Sequence, residues 1–165
     1  MQALSHELHS SKLDYLGVIA GMRSWCREIS ARHNIEIEFT SEASSPPPLE
    51  LGRSLLRILQ EALHNGIKHS GARRFEVQLR EHSSEVHLLI SDSGRGFSLE
   101  EALQGTGLGL TSMRERARLM DGTITIDSKP MGGTTIHVRV PLDPKHDSQR
   151  AAGSSNSEQP ESTDC

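Results

Sequence analysis

A carboxylate, an amide and an ammonium recur along one short stretch of this 165-residue chain, Gln60 to Ser70 (QEALHNGIKHS). At helical spacing Glu61, Asn65 and Lys68 fall on one narrow face, and Leu55, Ile58, Leu59, Ala62 and Gly66 form an apolar stripe on the other side. Oxygen ligands of this kind suit Mg²⁺, which keeps several waters and shares its remaining positions with phosphate. An ammonium in the same line suits a phosphate chain. The same residues also fit a solvated helix face with an i,i+4 polar pair.

Three further stretches carry chemistry of their own. Asp92-Ser93-Gly94-Arg95-Gly96-Phe97 follows an alternating strand. Its two glycines let the backbone turn sharply and approach a flat ligand closely. A carboxylate at the strand end accepts a hydrogen bond from an exocyclic amine such as that of adenine, although an ordinary turn has the same composition. Gly105-Thr106-Gly107-Leu108-Gly109-Leu110 runs into a helix, whose free N–H groups and dipole form an anion site. A flexible hinge reads the same way. The β-α-β setting and later acid of a dinucleotide fingerprint are absent, and no Gly-Lys-Ser/Thr follows as in a Walker loop. Gly132-Gly133-Thr134 brings a hydroxyl into the last strand, and alone it is a β-turn.

The elements that must hold these residues are legible from periodicity. A helix is predicted from Lys12 to about Arg32, burying Leu13, Leu16, Ile19, Ala20, Cys26 and Ile29, with Trp25 as an anchor. Ile35, Ile37 and Phe39 alternate with Glu36 and Glu38 as a half-buried strand, and Ser41 to Pro48 is loop. The polar-striped helix spans Leu49 to about His69, with Gly71 just past its end. Two strands follow, burying Phe75, Val77 and Leu79, then Val86, Leu88 and Ile90, with a hairpin turn across His82 to Glu85. A later helix buries Leu110, Met113, Ala117 and Met120 and stops at Gly122, before strands at Thr123–Asp127 and Thr134–Val140. One apolar face per strand and one stripe per helix predict an α/β two-layer sandwich, helices on one face of a mixed sheet. Domain limits are expected at 1–33, 34–142 and 143–165, the last a tail without large apolar side chains and read as disordered.

Composition bounds the rest. Aromatics make up 3% of the chain, so its core must be built from Leu, Ile, Val and Ala. A net charge of −4 without a basic run argues against a nucleic-acid surface. Cys26 and Cys165 form neither a metal spacing nor a disulfide framework, which fits a reducing compartment. No apolar run reaches membrane-spanning length, so a cytoplasmic setting is expected, with a membrane anchor conceivable in a longer version.

Taken in order, QEALHNGIKHSGA, DSGRGF, GTGLGLTSMRERARLMDGTI and GGTTIHVRVPL resemble the gyrase, chaperone, histidine kinase and mismatch-repair ATPase superfamily. They are most similar to the nitrate-sensor-type branch of bacterial sensor histidine kinases, over about Leu51 to Leu142. The resemblance implies the Bergerat-type fold, ATP and Mg²⁺ as cofactors, and transfer of the γ-phosphoryl to a histidine and then to a response regulator. It implies Asn65 as the Mg²⁺ ligand, with Glu61 as the acid at the γ-phosphate and a second metal contact. Lys68 and His69 would lie near the phosphates. Asp92 would take the adenine amine, Gly94 and Gly96 would shape its pocket, and Gly105, Gly107 and Gly109 would form the hinge of a short lid (about Ser98 to Thr106) and the phosphate cradle. Thr134 would support the adenine end.

One part of that pattern departs from the kinases. His6 and His9 in SHELHSSKLDYLG are candidate phosphoacceptors, but the stretch from His6 to Ile35 is too short for two long antiparallel helices. It resembles instead the end of a dimerising hairpin and its bridge to the ATPase domain, so a full-length version is expected to form a homodimer. Nor is HELH a zinc signature, which needs histidines at i,i+4. His33, His64, His82, His87 and His137 read as surface or structural residues, and Arg114, Glu115, Arg116 and Arg118 as a charged helix face. A non-catalytic ATP-binding regulator and a serine kinase of the anti-sigma type are the rival readings.

Overall fold

A computed structural model describes residues 17–97 and 108–142. The positions of Leu13, Leu16, His6, His9, Gly105, Gly107, the expected lid and the tail lie outside the described residues. Among those described, three helices accompany one five-stranded sheet: α1 Val18–His33, β1 Glu36–Glu42, α2 Leu49–His69, β2 Arg74–His82, β3 Glu85–Asp92, α3 Leu108–Leu119, β4 Thr123–Ser128 and β5 Thr134–Pro141. The strand order is β1-β2-β3-β5-β4. β1 runs parallel to β2, and the other neighbours are antiparallel, so the sheet is mixed as the pattern predicts.

One contiguous core joins the layers. From the sheet come Phe75, Val77, Leu79, Val86, Leu88, Ile90, Ile136, Val138 and Val140; from α2 come Leu55, Leu56, Ile58, Leu59, Ala62 and Leu63. Period-2 alternation sends every second strand residue into this layer. Aliphatics dominate, and Phe75 fills the space under Gly66, whose absent Cβ would otherwise meet its ring at 2.6 Å. Helix α1 shares the same core through Val18, Met22, Trp25, Cys26 and Ile29. Burial pushes the Cys26 thiol up to about 12, so it is a core methylene-like group rather than a nucleophile.

Three details differ from the periodicity reading. Helix α1 starts at Val18 rather than Lys12, because Gly17 adopts φ 79, outside the helical region. Its buried stripe runs Val18, Met22, Trp25, Cys26, Ile29, which leaves Ala20 exposed and Ile19 only half-buried. After α3, Asp121 rather than Gly122 takes the left-handed turn, with φ 54. Gly122 is needed for another reason: a Cβ there would sit 2.6 Å from the Arg139 carbonyl of β5.

The β2–β3 hairpin turns on Ser83 and Ser84, both left-handed at φ 51 and 65. Such a two-residue turn matches the strand twist, but serine lacks the tolerance for positive φ that Asn and Gly have. The double replacement Ser83→Asn, Ser84→Gly is expected to raise stability by about 1 kcal/mol. Urea denaturation measures it, and an unchanged midpoint would show that the turn carries no strain.

Candidate functional site

Helix α2 ends beside the strand ends of β3 and β5, and there a cavity of about 390 Å³ opens. Its walls are apolar along Ala62, Phe75, Ile90, Leu110, Met113 and Ile136, and its polar groups come from Asn65, His69, Ser70, Asp92 and Thr134. An apolar cavity with a few polar groups is the usual lining of a small-molecule site.

At one end stands the loop after β3. Asp92 Oδ1 accepts the Gly94 N–H at 2.8 Å, an Asx turn that folds the glycines beneath the carboxyl. The loop is clamped to the end of α2, because Arg95 N–H donates to the Ser70 carbonyl at 2.9 Å and Arg95 Nε to the His69 carbonyl at 2.7 Å. Both chains pass too closely for a side chain at Gly94, where a Cβ would lie 2.6 Å from Ser70 Cβ. On the other side a Cβ on Gly96 (φ 59) would press into the Lys129 carbonyl and lie 2.7 Å from that of Gly133. Burial raises the Asp92 carboxyl above its ordinary value, offset in part by hydrogen bonds from Gly94 N–H and the Ser70 hydroxyl.

That shift has two consequences of opposite sign. The native chain holds the Asp92 proton more tightly than the unfolded chain does. Stability therefore falls as pH rises from the ordinary carboxylate value of about 3.9 through the raised one. Should Asp92 be the acceptor for an amine-bearing ligand, uptake needs its ionised form and is expected to fall as pH drops through the same window. Thermal melts and ligand titrations across about pH 4 to 7 give the two slopes, and Asp92→Asn should flatten both. Parallel slopes in native and Asn variant would exclude Asp92 as their origin.

At the other end, Asn65 Nδ2 donates to Glu61 Oε1 at 3.3 Å, one turn apart on α2. With its nitrogen engaged, the amide oxygen of Asn65 remains available to a cation. Gly109, in the first turn of α3, packs directly on this pair: a Cβ there would contact Glu61 Oε1 and lie 2.8 Å from Asn65 Nδ2. The start of α3 is thus held against the two oxygen-bearing side chains. Asn65, His69, Asp92, Gly96, Gly109 and Thr134 line the one cavity, with Glu61 alongside through Asn65 and Gly94 behind Asp92. Lys68 is exposed and is not among the lining residues. On the outer face of α3, Arg118 pairs with Glu115 at 4.0 Å.

Several lining residues were marked in the sequence as core or motif positions but not as cavity wall. Ser70, buried at 7% exposure, accepts the Ala72 N–H on its hydroxyl at 3.0 Å and caps the end of α2. Phe97, Leu110 and Met113 supply apolar wall, and Ser128 supports Thr134 from behind. Spacing assigns apolar residues to a core and has no means of separating cavity wall from core filling.

The chain matches the histidine kinase-, DNA gyrase B-, and HSP90-like ATPase family over residues 50–144, and it belongs to that family. It is 36% identical over 140 residues to the oxygen sensor histidine kinase NreB of Staphylococcus carnosus, a match covering 84% of this chain and 40% of NreB. The chain therefore spans less than half the length of that relative. Among solved structures, the histidine kinase domain of the Erythrobacter litoralis EL346 blue-light activated histidine kinase superposes with a TM-score of 0.65 at 19% identity, covering 84% of this chain and 74% of the other. The catalytic domain of the histidine kinase ThkA gives 0.62 at 17% identity, covering 79% and 95%. At such identities these two likenesses speak to the fold, and it is the histidine kinase ATPase fold. Among the described residues, no helix is long and apolar enough to cross a membrane.

Proposed function

We propose that residues 34–142 form the ATP-binding catalytic domain of a two-component sensor histidine kinase, with 1–33 the end of a dimerisation hairpin and its linking helix. The observation that carries this reading is the placement of two unlike polar ends on one apolar cavity: Asp92 and Thr134 at one, Glu61 and Asn65 at the other. In this reading Asp92 accepts the adenine amine and the apolar walls grip the ring. Asn65, and Glu61 beside it, present oxygens suited to Mg²⁺. Among the described residues no group of three or more His, Cys, Asp or Glu is placed to hold an ion, so phosphate oxygens would complete the shell. Bound there, Mg²⁺ would neutralise charge on the phosphates.

Phosphoryl transfer asks chiefly for positioning and charge neutralisation, which a sparse set of side chains can supply. Glu61 orients the γ-phosphoryl for attack by a histidine ring nitrogen. That histidine is supplied by a dimerisation helix, in a longer form of the chain or in trans, and a response regulator aspartate receives the group next. His69 and the exposed Lys68 attract the phosphates, while Gly105, Gly107 and Gly109 hinge the lid and cradle them. The setting is cytoplasmic, and the full-length form is a homodimer.

Calorimetry with Mg-ATP tests the first half, and incubation with a dimerisation helix from a related kinase tests the second. Magnesium-dependent uptake and acid-labile phosphohistidine on the helix are expected. Absent uptake on folded protein sinks the whole reading. Uptake without transfer from any acceptor tried would favour the non-catalytic regulator, and acid-stable phosphoserine on a partner would favour the serine kinase.

A further inference from the structure

One hydroxyl beside the cavity was singled out by no motif. Ser128 closes β4, and its Oγ meets three partners: the Phe97 N–H at 2.9 Å, the Gly133 carbonyl at 3.2 Å and the Thr134 hydroxyl at 2.9 Å. These partners come from the Asp92 loop and the start of β5, so a single oxygen ties both to β4. A hydroxyl has one proton and two lone pairs. Phe97 N–H can only donate and the Gly133 carbonyl can only accept. With those roles fixed, the Ser128 proton goes to Gly133 and one lone pair takes the Phe97 N–H. The second lone pair faces Thr134, and the Thr134 proton filling it is the one assignment in which all three contacts carry a proton. Sending the Ser128 proton to Thr134 instead would leave two oxygens, Ser128 and the Gly133 carbonyl, at 3.2 Å with no proton between them.

The arrangement therefore commits the hydroxyl proton of Thr134, a residue that lines the cavity, to the protein. Toward a ligand Thr134 keeps lone pairs alone. Asp92, paired in register with Thr134 at the end of β3, offers only acceptors once ionised. We propose that Ser128 is a specificity-determining positioning residue: by holding the Thr134 proton it makes the base end of the cavity acceptor-only, so that a 6-amino purine nucleotide is taken and a 6-oxo purine nucleotide refused. The proposal rests on the nucleotide reading above. A 6-amino group donates to such a wall, whereas a 6-oxo group would set its own lone pairs against two sets of acceptors and go unpaired. Ser128 itself is not among the residues lining the cavity, so its influence passes through Thr134 and Phe97, which are.

Removing the Ser128 oxygen frees the Thr134 proton to rotate toward a ligand carbonyl. It also strips the Phe97 N–H of its acceptor, which would weaken every nucleotide alike. The ratio of ATP to GTP affinity separates these effects. The full chain is titrated calorimetrically with Mg-ATP and Mg-GTP as wild type, Ser128→Ala, Ser128→Thr, and the double variant Ser128→Ala, Thr134→Val. The ATP-to-GTP ratio is expected to drop about ten-fold in Ser128→Ala. Ser128→Thr should keep the wild-type ratio, and the double variant should recover part of it, since no freed proton remains but only the Asp92 acceptors are left. Ser128→Cys, nearly isosteric and a poor acceptor, is measured alongside in case the alanine variant does not fold; it should lose part of the ratio. Parallel weakening of both nucleotides with an unchanged ratio, in alanine or in cysteine, overturns the proposal and leaves Ser128 a structural brace. Wild type that takes up ATP and GTP equally overturns it while leaving the nucleotide reading intact. Wild type that takes up neither removes both.

Discussion

Glu61→Gln is expected to cut phosphoryl transfer to a supplied histidine helix by about 10²–10⁴-fold while leaving Mg-ATP uptake within a few-fold of wild type. Glutamine keeps the shape and an oxygen facing the Asn65 amide, which now sits at 3.3 Å from Oε1, but lacks the charge to which the proposed function gives the orienting role at the γ-phosphate. Asn65→Ala should do the reverse of a selective lesion. It removes the amide oxygen left over for the cation, so magnesium-dependent uptake itself should fall by at least ten-fold, and transfer with it. The two variants thus separate binding from chemistry on adjacent turns of one helix. Both residues are only half-buried, so neither change should lower the melting temperature by more than a few degrees. Gly109→Ala supplies a third arm, because its Cβ would press on the same pair, 3.3 Å from Glu61 Cδ, without deleting either group. Filter binding with labelled ATP and acid-labile counts on the helix read all three. Equal loss of uptake in Glu61→Gln and Asn65→Ala would remove the division of labour.

The elements were legible because their burial is one-sided. Leu55, Ile58, Leu59 and Ala62 are core residues of α2, and Phe75, Val77 and Leu79 of β2, since period 3.6 and period 2 leave few other ways to hide them. Most of the candidate site was legible for a related reason: Asn65, Asp92 and Thr134 each sit at the end of an element whose apolar face fixes its register. The choice of face was less well centred. The α2 residues that line the cavity are Ala62, Asn65, Gly66, His69 and Ser70, a stripe that Asn65 only edges. At 3.6 residues per turn Lys68 lies about 120° round the helix from Ala62, and the structure leaves it exposed. Packing between distant segments was invisible. Nothing local marks Ser128 as the oxygen that joins three segments, or Gly122 as the passing place for the Arg139 carbonyl. The start of α1 was misplaced because Leu13, Leu16 and Ile19 continue a helical rhythm across Gly17. A left-handed glycine interrupts the backbone without interrupting the pattern.

Gly96→Ala is expected to destabilise the fold by about 3 to 5 kcal/mol and to abolish nucleotide uptake at the same time. Two costs combine. At φ 59 the backbone is left-handed, which charges an alanine about 1–2 kcal/mol. The added Cβ would also meet the Lys129 carbonyl and lie 2.7 Å from that of Gly133, and these are backbone atoms with no rotamer to yield. The β4–β5 turn would have to move off the Asp92 loop, breaking the Met131 N–H bond to the Arg95 carbonyl at 2.6 Å and carrying Thr134 with it. Gly71→Ala is the internal control. It has nearly the same left-handed backbone, φ 67, but nothing within 4 Å of its Cβ position, so it should cost only the conformational share. Urea denaturation of both variants therefore isolates the contact between loop and turn as a difference. A Gly96→Ala penalty no larger than that of Gly71→Ala would mean that the two segments do not press together. The end of the cavity at Asp92 and Thr134 would then lack the rigid backing that both side chains require to meet one ligand, as the proposed function asks of them.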